Sequence, residues 1–289
     1  MIMKIKHYPK ISVIIPCYNH GKYIESCLES IRKAYVGKLE VIICDDCSSD
    51  NSVIKIKDFL ANNIDGDIEY KLIINSKNKG VSRTLNDSIK LATADYIYII
   101  ASDDCLLNNG LTRAMHFMLG LNCDAIISDC IVIDDKDNMI SESAFFEYRR
   151  ASLNKLINDI SNELIFNWVV PGPSLLQKRS TFEIVGGYNE TLMAEDRDYY
   201  LRLLSVNEIY FNPDKIACYR IHGNNVSRSV EYIKKSKNEF ARVNYKASEN
   251  FRGLAGLYLR TYWLDLNGIP SIVTSLFRKT LKAVYRMGG

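Results

Sequence analysis

Short runs of Ile, Val, Leu and Tyr recur along the chain, each closed by a polar loop. They predict strands at residues 12–15, 40–44, 70–74, 96–100, 124–127, 174–177, 209–212 and 216–220. Short, nearly continuous apolar runs are the pattern of strands buried on both faces of a parallel sheet. Helical periodicity fills the gaps between the first four, at residues 22–33, 53–62 and 82–92. Strands alternating with helices of this length predict βαβ units, and hence an α/β fold whose mostly parallel central sheet is flanked by helices. Residues 136–150 are polar with aromatic interruptions and read as an excursion between core elements. Near the end of the chain Ile272, Val273, Leu276, Phe277, Leu281, Val284 and Tyr285 fall at helical spacing, with Arg278, Lys279, Lys282 and Arg286 largely on the other side.

Two of the apolar runs empty into paired aspartates: Glu40-Val-Ile-Ile-Cys-Asp-Asp46 and Tyr96-Ile-Tyr-Ile-Ile-Ala-Ser-Asp-Asp104. Ligands of open α/β sheets bind beyond the carboxyl ends of the strands. Carboxylates gathered there repel one another unless a cation or hydrogen-bond donors satisfy them. Asp103 and Asp104 are hard oxygen ligands that suit Mg²⁺ or Mn²⁺. Either pair alone also fits a turn or a helix cap, as Asp-Asp-Cys-Ser-Ser-Asp-Asn from Asp45 illustrates. After the first strand, Pro16 ends the ladder and Tyr18 offers a ring on which a flat base can stack. Asp45, at the adjacent strand end, is placed to accept from a ring N–H.

Composition narrows the class. The 289 residues, 47% hydrophobic, suffice for a full core. The net charge of +3 is too small to point to nucleic acid. It is unevenly spread: residues 228–289 hold 12 Lys/Arg against 4 Asp/Glu, a net +8, which leaves −5 on the first 227. Eight scattered cysteines read as reduced, buried thiols, and Cys44-Asp-Asp-Cys47 lacks the second pair that a zinc site needs. The N-terminus has no signal-like apolar region and no stretch reaches membrane-span length, so a cytoplasmic protein, at most peripheral to the membrane, is expected.

Neither a G-x-G-x-x-G after a strand nor a G-x-x-x-x-G-K-[ST] occurs, which argues against dehydrogenases and P-loop kinases. Gly80 opens the third helix, whose Arg83 can meet phosphate or simply face solvent. Farther on, Gly186-Gly187 breaks a helix and Glu195-Asp196 begins the next, where carboxylates suit the helix dipole. His222 follows the final strand, as a packing residue or a further metal ligand.

In order, these stations resemble glycosyltransferase family 2 and its GT-A fold. Ser12-Val-Ile-Ile-Pro-Cys-Tyr-Asn19 looks like the opening strand of that family and the run from Glu40 to Asp50 like its second. The run from Ala94 to Asp104 is similar to its D-x-D strand. Gly187-Tyr-Asn-Glu with Ala194-Glu-Asp196 resembles its acceptor-side helix, and Tyr219-Arg-Ile-His222 its closing segment. The resemblance covers about residues 11–228, divided into a nucleotide-sugar half to about 105 and an acceptor half from 106, with 229–289 a basic helical extension.

By that resemblance Pro16, Tyr18, Asn19, Asp45, Arg83 and Asp103 hold the nucleotide, and Asp103, Asp104 and His222 the metal. Asp196 is the catalytic base, with Glu195 beside it on the acceptor side. Ala101 stands where the family often has the first acid of D-x-D, which leaves the ribose contact open. The implied reaction is an inverting transfer from a nucleotide-diphosphate sugar, UDP by family habit, to a glycan or lipid-linked acceptor in bacterial surface polysaccharide synthesis. A non-catalytic nucleotide-binding module and an NDP-sugar nucleotidyltransferase are the competing readings. The tail helix is expected either on a membrane interface or packed on protein.

Overall fold

The computed structural model describes residues 7–64, 66–206, 208–223 and 230–287. The first half is a βαβ series: β1 (Ile11–Cys17), α1 (Ile24–Arg32), β2 (Leu39–Asp45), α2 (Ser52–Asn62), β3 (Ile68–Ile74), α3 (Val81–Leu91) and β4 (Tyr96–Ile99). The second half adds β5 (Cys105–Leu106), α4 (Gly110–Leu121), β6 (Ala125–Ile133), β7 (Met139–Ser141), α5 (Leu153–Asn158), α6 (Ile160–Phe166) and β8 (Leu175–Lys178). It ends with α7 (Thr181–Val185), α8 (Glu195–Val206) and β9 (Ile209–Arg220). Nine strands form one sheet in the order β3-β2-β1-β4-β8-β6-β9-β5, with β7 on β6. β1 to β4 pair in parallel, as do β6 and β9, whereas β8, β5 and β7 run antiparallel to their neighbours.

Both faces of the sheet are covered, which is why its strands read as unbroken apolar runs. Val13 and Ile15 point to a core shared with α1 and α4, while Ile14 and Ile42 point to one shared with α3 and α8. α1 shows how the pattern docks: Ile24, Cys27, Leu28 and Ile31 form one stripe and are all fully buried. The strands expected at 209–212 and 216–220 are one strand. Its register against β6 slips from Ser128–Asn212 to Asp129–Lys215 and bulges out Pro213, which has no N–H for the ladder.

The extension comprises α9 (Val230–Ala247), α10 (Gly253–Arg260), α11 (Tyr262–Leu266) and α12 (Ser271–Met287). Val243, Tyr258, Leu259 and Leu281 share a core with Ile165 and Phe166 of α6 and Leu201 of α8. On α12 the face expected to be uniformly apolar is divided. Leu281 is buried and Tyr285 stacks on Phe166 with ring centroids 4.5 Å apart, while Ile272, Val273, Leu276, Phe277 and Val284 stay exposed. Arg278, expected on the outer basic side, turns inward to pair with Asp265 at 2.7 Å. No described helix is long and apolar enough to cross a membrane.

Candidate active site

β1 lies between β2 and β4, so successive strands leave it in opposite directions and a crevice opens at its carboxyl end. The register sets Cys17 opposite Asp45 there. Tyr18, just past the strand, is 48% exposed, whereas Asp45 is wholly buried. One Asp45 oxygen accepts from Ser48 N at 2.9 Å, and the other is buried with no hydrogen-bond partner among the described residues. A buried acceptor left open is costly, and a donor on a bound ligand removes the cost. Asp46, the other half of the pair, is structural: it accepts from Asn75 Nδ2 and Lys79 N at 2.9 Å and from Gly80 N at 2.8 Å. This fixes the turn into α3 at Gly80, whose φ of +83° favours glycine. Asn19 is likewise engaged inside the protein, its side-chain oxygen accepting from Ser49 N at 2.8 Å.

At the end of β4 the expected acids part company. Asp103 Oδ2 lies 2.8 Å from His222 Nε2, and its Oδ1 lies 3.7 Å from His20 Nδ1. Burial pushes the Asp103 carboxyl up, but the His222 hydrogen bond and the two imidazoles outweigh it and hold the pKa below the ordinary value. Asp104 is buried and accepts from Arg220 N at 2.8 Å. Burial, then the charge of Asp103, drive its pKa far upward. The group among the described residues that can hold a metal is therefore His20, Asp103 and His222, whose donor atoms all lie within 4.8 Å of one another. Asp104, named with Asp103 as a ligand, is not among them. Cys44 and Cys47 contribute to no such group either.

On the far side of the crevice, α8 begins with Glu195 and Asp196. Pro16, Ala101, Trp168, Gly172, Glu195 and Asp196 are among the residues lining a single cleft of about 130 Å³. Burial, then the neighbouring Asp196 charge, push the Glu195 carboxyl up to about 8. Asp196 opens to the cleft, yet protein closes round it on its other sides and this desolvation raises its pKa too. Arg197 points the opposite way and is buried, donating to Asn244 Oδ1 and to the Leu164 and Ile165 carbonyls. Arg83 is exposed on α3, 4.0 Å from Glu190, and is not among the cleft-lining residues.

His20 and Trp168 were not singled out from the sequence. For His20 a signal existed: it directly follows the Pro16-to-Asn19 strand end. For Trp168 there was none, since it lies in an irregular loop.

The geometry agrees with the relatives. Residues 12–181 match the family described as Glycosyl transferase family 2. Chondroitin synthase of Escherichia coli is 29% identical over 248 residues, which is 84% of this chain but 33% of that protein. The chain thus spans about a third of that relative. Escherichia coli WfgD, a UDP-Glc:alpha-D-GlcNAc-diphosphoundecaprenol beta-1,3-glucosyltransferase, is 28% identical over 52% of this chain and 55% of its own. Among solved structures, S. aureus TarS 1-349 in complex with UDP-GlcNAc superposes with a TM-score of 0.67 at 20% identity, over 88% of this chain and 71% of that one. A Pyrobaculum calidifontis mannosyltransferase in complex with GDP-Man and Mn²⁺ gives 0.63 at 16%, over 96% and 81%. These likenesses carry the GT-A fold. With the family match spanning more than half of its residues, on a sheet whose switch point gathers the aspartates of the motifs, the chain belongs to glycosyl transferase family 2.

Proposed function

We propose that this protein is an inverting glycosyltransferase that moves a sugar from a nucleotide diphosphate, UDP being the expected one, to a hydroxyl of a glycan or lipid-linked acceptor. The observation that carries the reading is the shared cleft: strand-end residues Pro16 and Ala101 face Glu195 and Asp196 of α8 across one cavity. The open Asp45 oxygen and the exposed Tyr18 ring beside it suit the edge and face of a base. Asp103 with His222 suits a divalent cation, Mn²⁺ or Mg²⁺, which when bound neutralises charge on the departing diphosphate.

In this reading Asp196 accepts the proton of the acceptor hydroxyl as its oxygen attacks the anomeric carbon. The bond to the diphosphate breaks on the opposite face and its electron pair leaves with the diphosphate, so no covalent enzyme intermediate is formed. General-base assistance of this kind contributes about 10²–10⁴-fold, and holding the two substrates together contributes further. The raised pKa of the Glu195–Asp196 pair suits a proton acceptor working near neutral pH. The surface-polysaccharide role rests on relatives such as WfgD, whose named acceptor is a lipid diphosphate. We further place the protein in the cytoplasm, peripheral on the inner membrane face. The exposed apolar residues of α12 support that contact.

The test is incubation of the full chain with a panel of NDP-sugars, with Mn²⁺ or with EDTA. Metal-dependent sugar release supports the transferase. Turnover of NTP plus sugar phosphate would instead favour the nucleotidyltransferase, and nucleotide binding without turnover of any donor the non-catalytic module.

A further inference from the structure

His20 extends the metal site beyond what the sequence motifs name. Its backbone is fixed before any ligand arrives. The backbone N donates to Ser52 Oγ at 3.0 Å, and the carbonyl accepts from Tyr23 N at 2.9 Å and Ile24 N at 3.0 Å, starting the turn into α1. The imidazole Nδ1 lies 2.8 Å from Ser102 Oγ and 3.7 Å from Asp103 Oδ1. Opposite it, His222 is oriented by Tyr23, whose ring stacks on it at 4.9 Å, and the two imidazoles meet edge to face at 5.9 Å. Two imidazoles and one carboxylate thus converge from three separate strand ends, with side-chain exposures of 24%, 3% and 9% for His20, His222 and Asp103.

We propose that His20 is a third protein ligand, so that the cation is held by a His–Asp–His set that selects Mn²⁺ over Mg²⁺. The inference rests on the metal reading of the proposed function. Donor chemistry decides the preference. Mg²⁺ demands an oxygen octahedron and sheds water reluctantly. Imidazole nitrogen suits first-row transition ions, and two nitrogens with one carboxylate are a recurrent way of holding them with positions left open. The open positions are where a diphosphate oxygen and water belong. Asp104, one oxygen of which accepts from Arg220 N, is outside the converging His20, Asp103 and His222 donors, so a second carboxylate does not make the site oxygen-rich. Ligand atoms now up to 4.8 Å apart need to close to about 3 Å around an ion with bonds near 2.1 Å. Rotation of the His20 side chain, the most exposed of the three, would bring the donors together.

The experiment uses the full chain with UDP. Electron spin-echo spectroscopy on bound Mn²⁺ counts coupled imidazole nitrogens, and calorimetry compares Mn²⁺ with Mg²⁺ as the ion that tightens UDP binding. Wild type should show two coupled nitrogens and His20→Ala one. The Mn²⁺-to-Mg²⁺ affinity ratio should fall about tenfold in that variant. A second variant, His20→Asn, keeps a polar group for Ser102 and should behave the same way if His20→Ala folds poorly. One coupled nitrogen in wild type, or an unchanged ratio in both variants while either ion still binds, overturns the role of His20 and leaves the metal reading standing. UDP binding indifferent to both ions removes the metal reading itself, and the proposal with it.

Discussion

Asn86 of α3 grips Tyr188 by both of its backbone polar groups, donating from Nδ2 to the carbonyl at 2.8 Å and accepting from the N–H at 2.8 Å. The Tyr188 ring in turn stacks on Tyr199 of α8 at 4.5 Å. One side chain thereby sets the spacing between the helix that leads into β4 and the helix that carries Asp196. Gly187 makes the grip possible, since a Cβ there would come within 2.5 Å of Asn86 Oδ1.

Gly187→Ala should therefore push Asn86 out of its bonds. A buried or half-buried amide left without its partner costs about 1–3 kcal/mol. Expected outcomes are a lower Tm and a fall in kcat/KM for the acceptor, with UDP affinity unchanged because Asp45 and Asp103 lie on other elements. Thermal unfolding, acceptor kinetics and UDP calorimetry check this together. Unaltered acceptor kinetics in a destabilised protein would mean the grip is structural only.

Asp196→Asn keeps shape and removes the proton acceptor. Transfer should drop about 10²–10⁴-fold while UDP binding persists. Substantial residual transfer would assign the proton to another group, Glu195 and Asp198 being nearest in sequence.

The pH profile follows from the raised carboxyl pair. Asp196 must lose its proton to act as the base, and burial opposes that loss. Activity should rise with pH through a limb well above the ordinary carboxylate range, governed by the pair and not by either acid alone. Burial is what raises Asp196, so in Glu195→Gln the limb should stay above the ordinary carboxylate range. A limb at ordinary carboxylate values in wild type contradicts the desolvated pair.

Glu40, inside the sheet, offers a stability test away from the chemistry. It is wholly buried, pairs with Lys71 at 2.6 Å, and accepts from Thr93 N at 2.8 Å and from Ser12 Oγ. Burial works against ionisation, but Lys71, Ser12 and Thr93 together bring the carboxyl from an ordinary 4.5 down to about 2. Its contribution is complete above pH 4.5, where the unfolded chain is also charged. It is lost as pH falls toward 2, where the native carboxylate finally takes the proton, and amounts to roughly 3 kcal/mol. Urea unfolding at pH 7 and pH 3 should show about 2 kcal/mol of this loss in wild type, since the native carboxylate is still charged at pH 3, and less in Glu40→Gln.

How far the sequence carries depends on whether a signal is local. β1 to β4 were legible because buried strands are continuous apolar runs, and the ends of β2 and β4 were legible because Asp-Asp follows each. What each acid does is not local. Asp46 caps the α3 turn, and Asp104 meets Arg220, 116 positions away. Neither partnership leaves a mark near the aspartates, so Asp104 read like Asp103. The Pro213 bulge hid the unity of β9 for the opposite reason, since a local breaker was overruled by pairing with β6. On α12 the periodicity was plain, but which part of it faces protein depends on Phe166 and Asp265.

That division of α12 makes the membrane question concrete. With Leu281, Tyr285 and Arg278 committed to the protein, the outward face carries Ile272, Val273, Leu276, Val284 and Met287, from 46% to 78% exposed. Lys279 and Arg286, both exposed, flank it, while Lys282 is half-buried against the protein. An apolar strip beside a cationic edge matches an interface in which the strip enters the acyl boundary and the edge meets anionic headgroups, each Lys or Arg contributing about 1 kcal/mol. Leu276→Glu places a charge in the strip without touching the buried contacts, so fold and NDP-sugar hydrolysis should be unchanged. Co-sedimentation with vesicles containing phosphatidylglycerol should fall several-fold in this variant, and should weaken for wild type in high salt. Equal pelleting of wild type and Leu276→Glu would take the strip away from the bilayer. Concentration-dependent dimerisation abolished by Leu276→Glu, without vesicle binding, would assign it to a second copy of the chain.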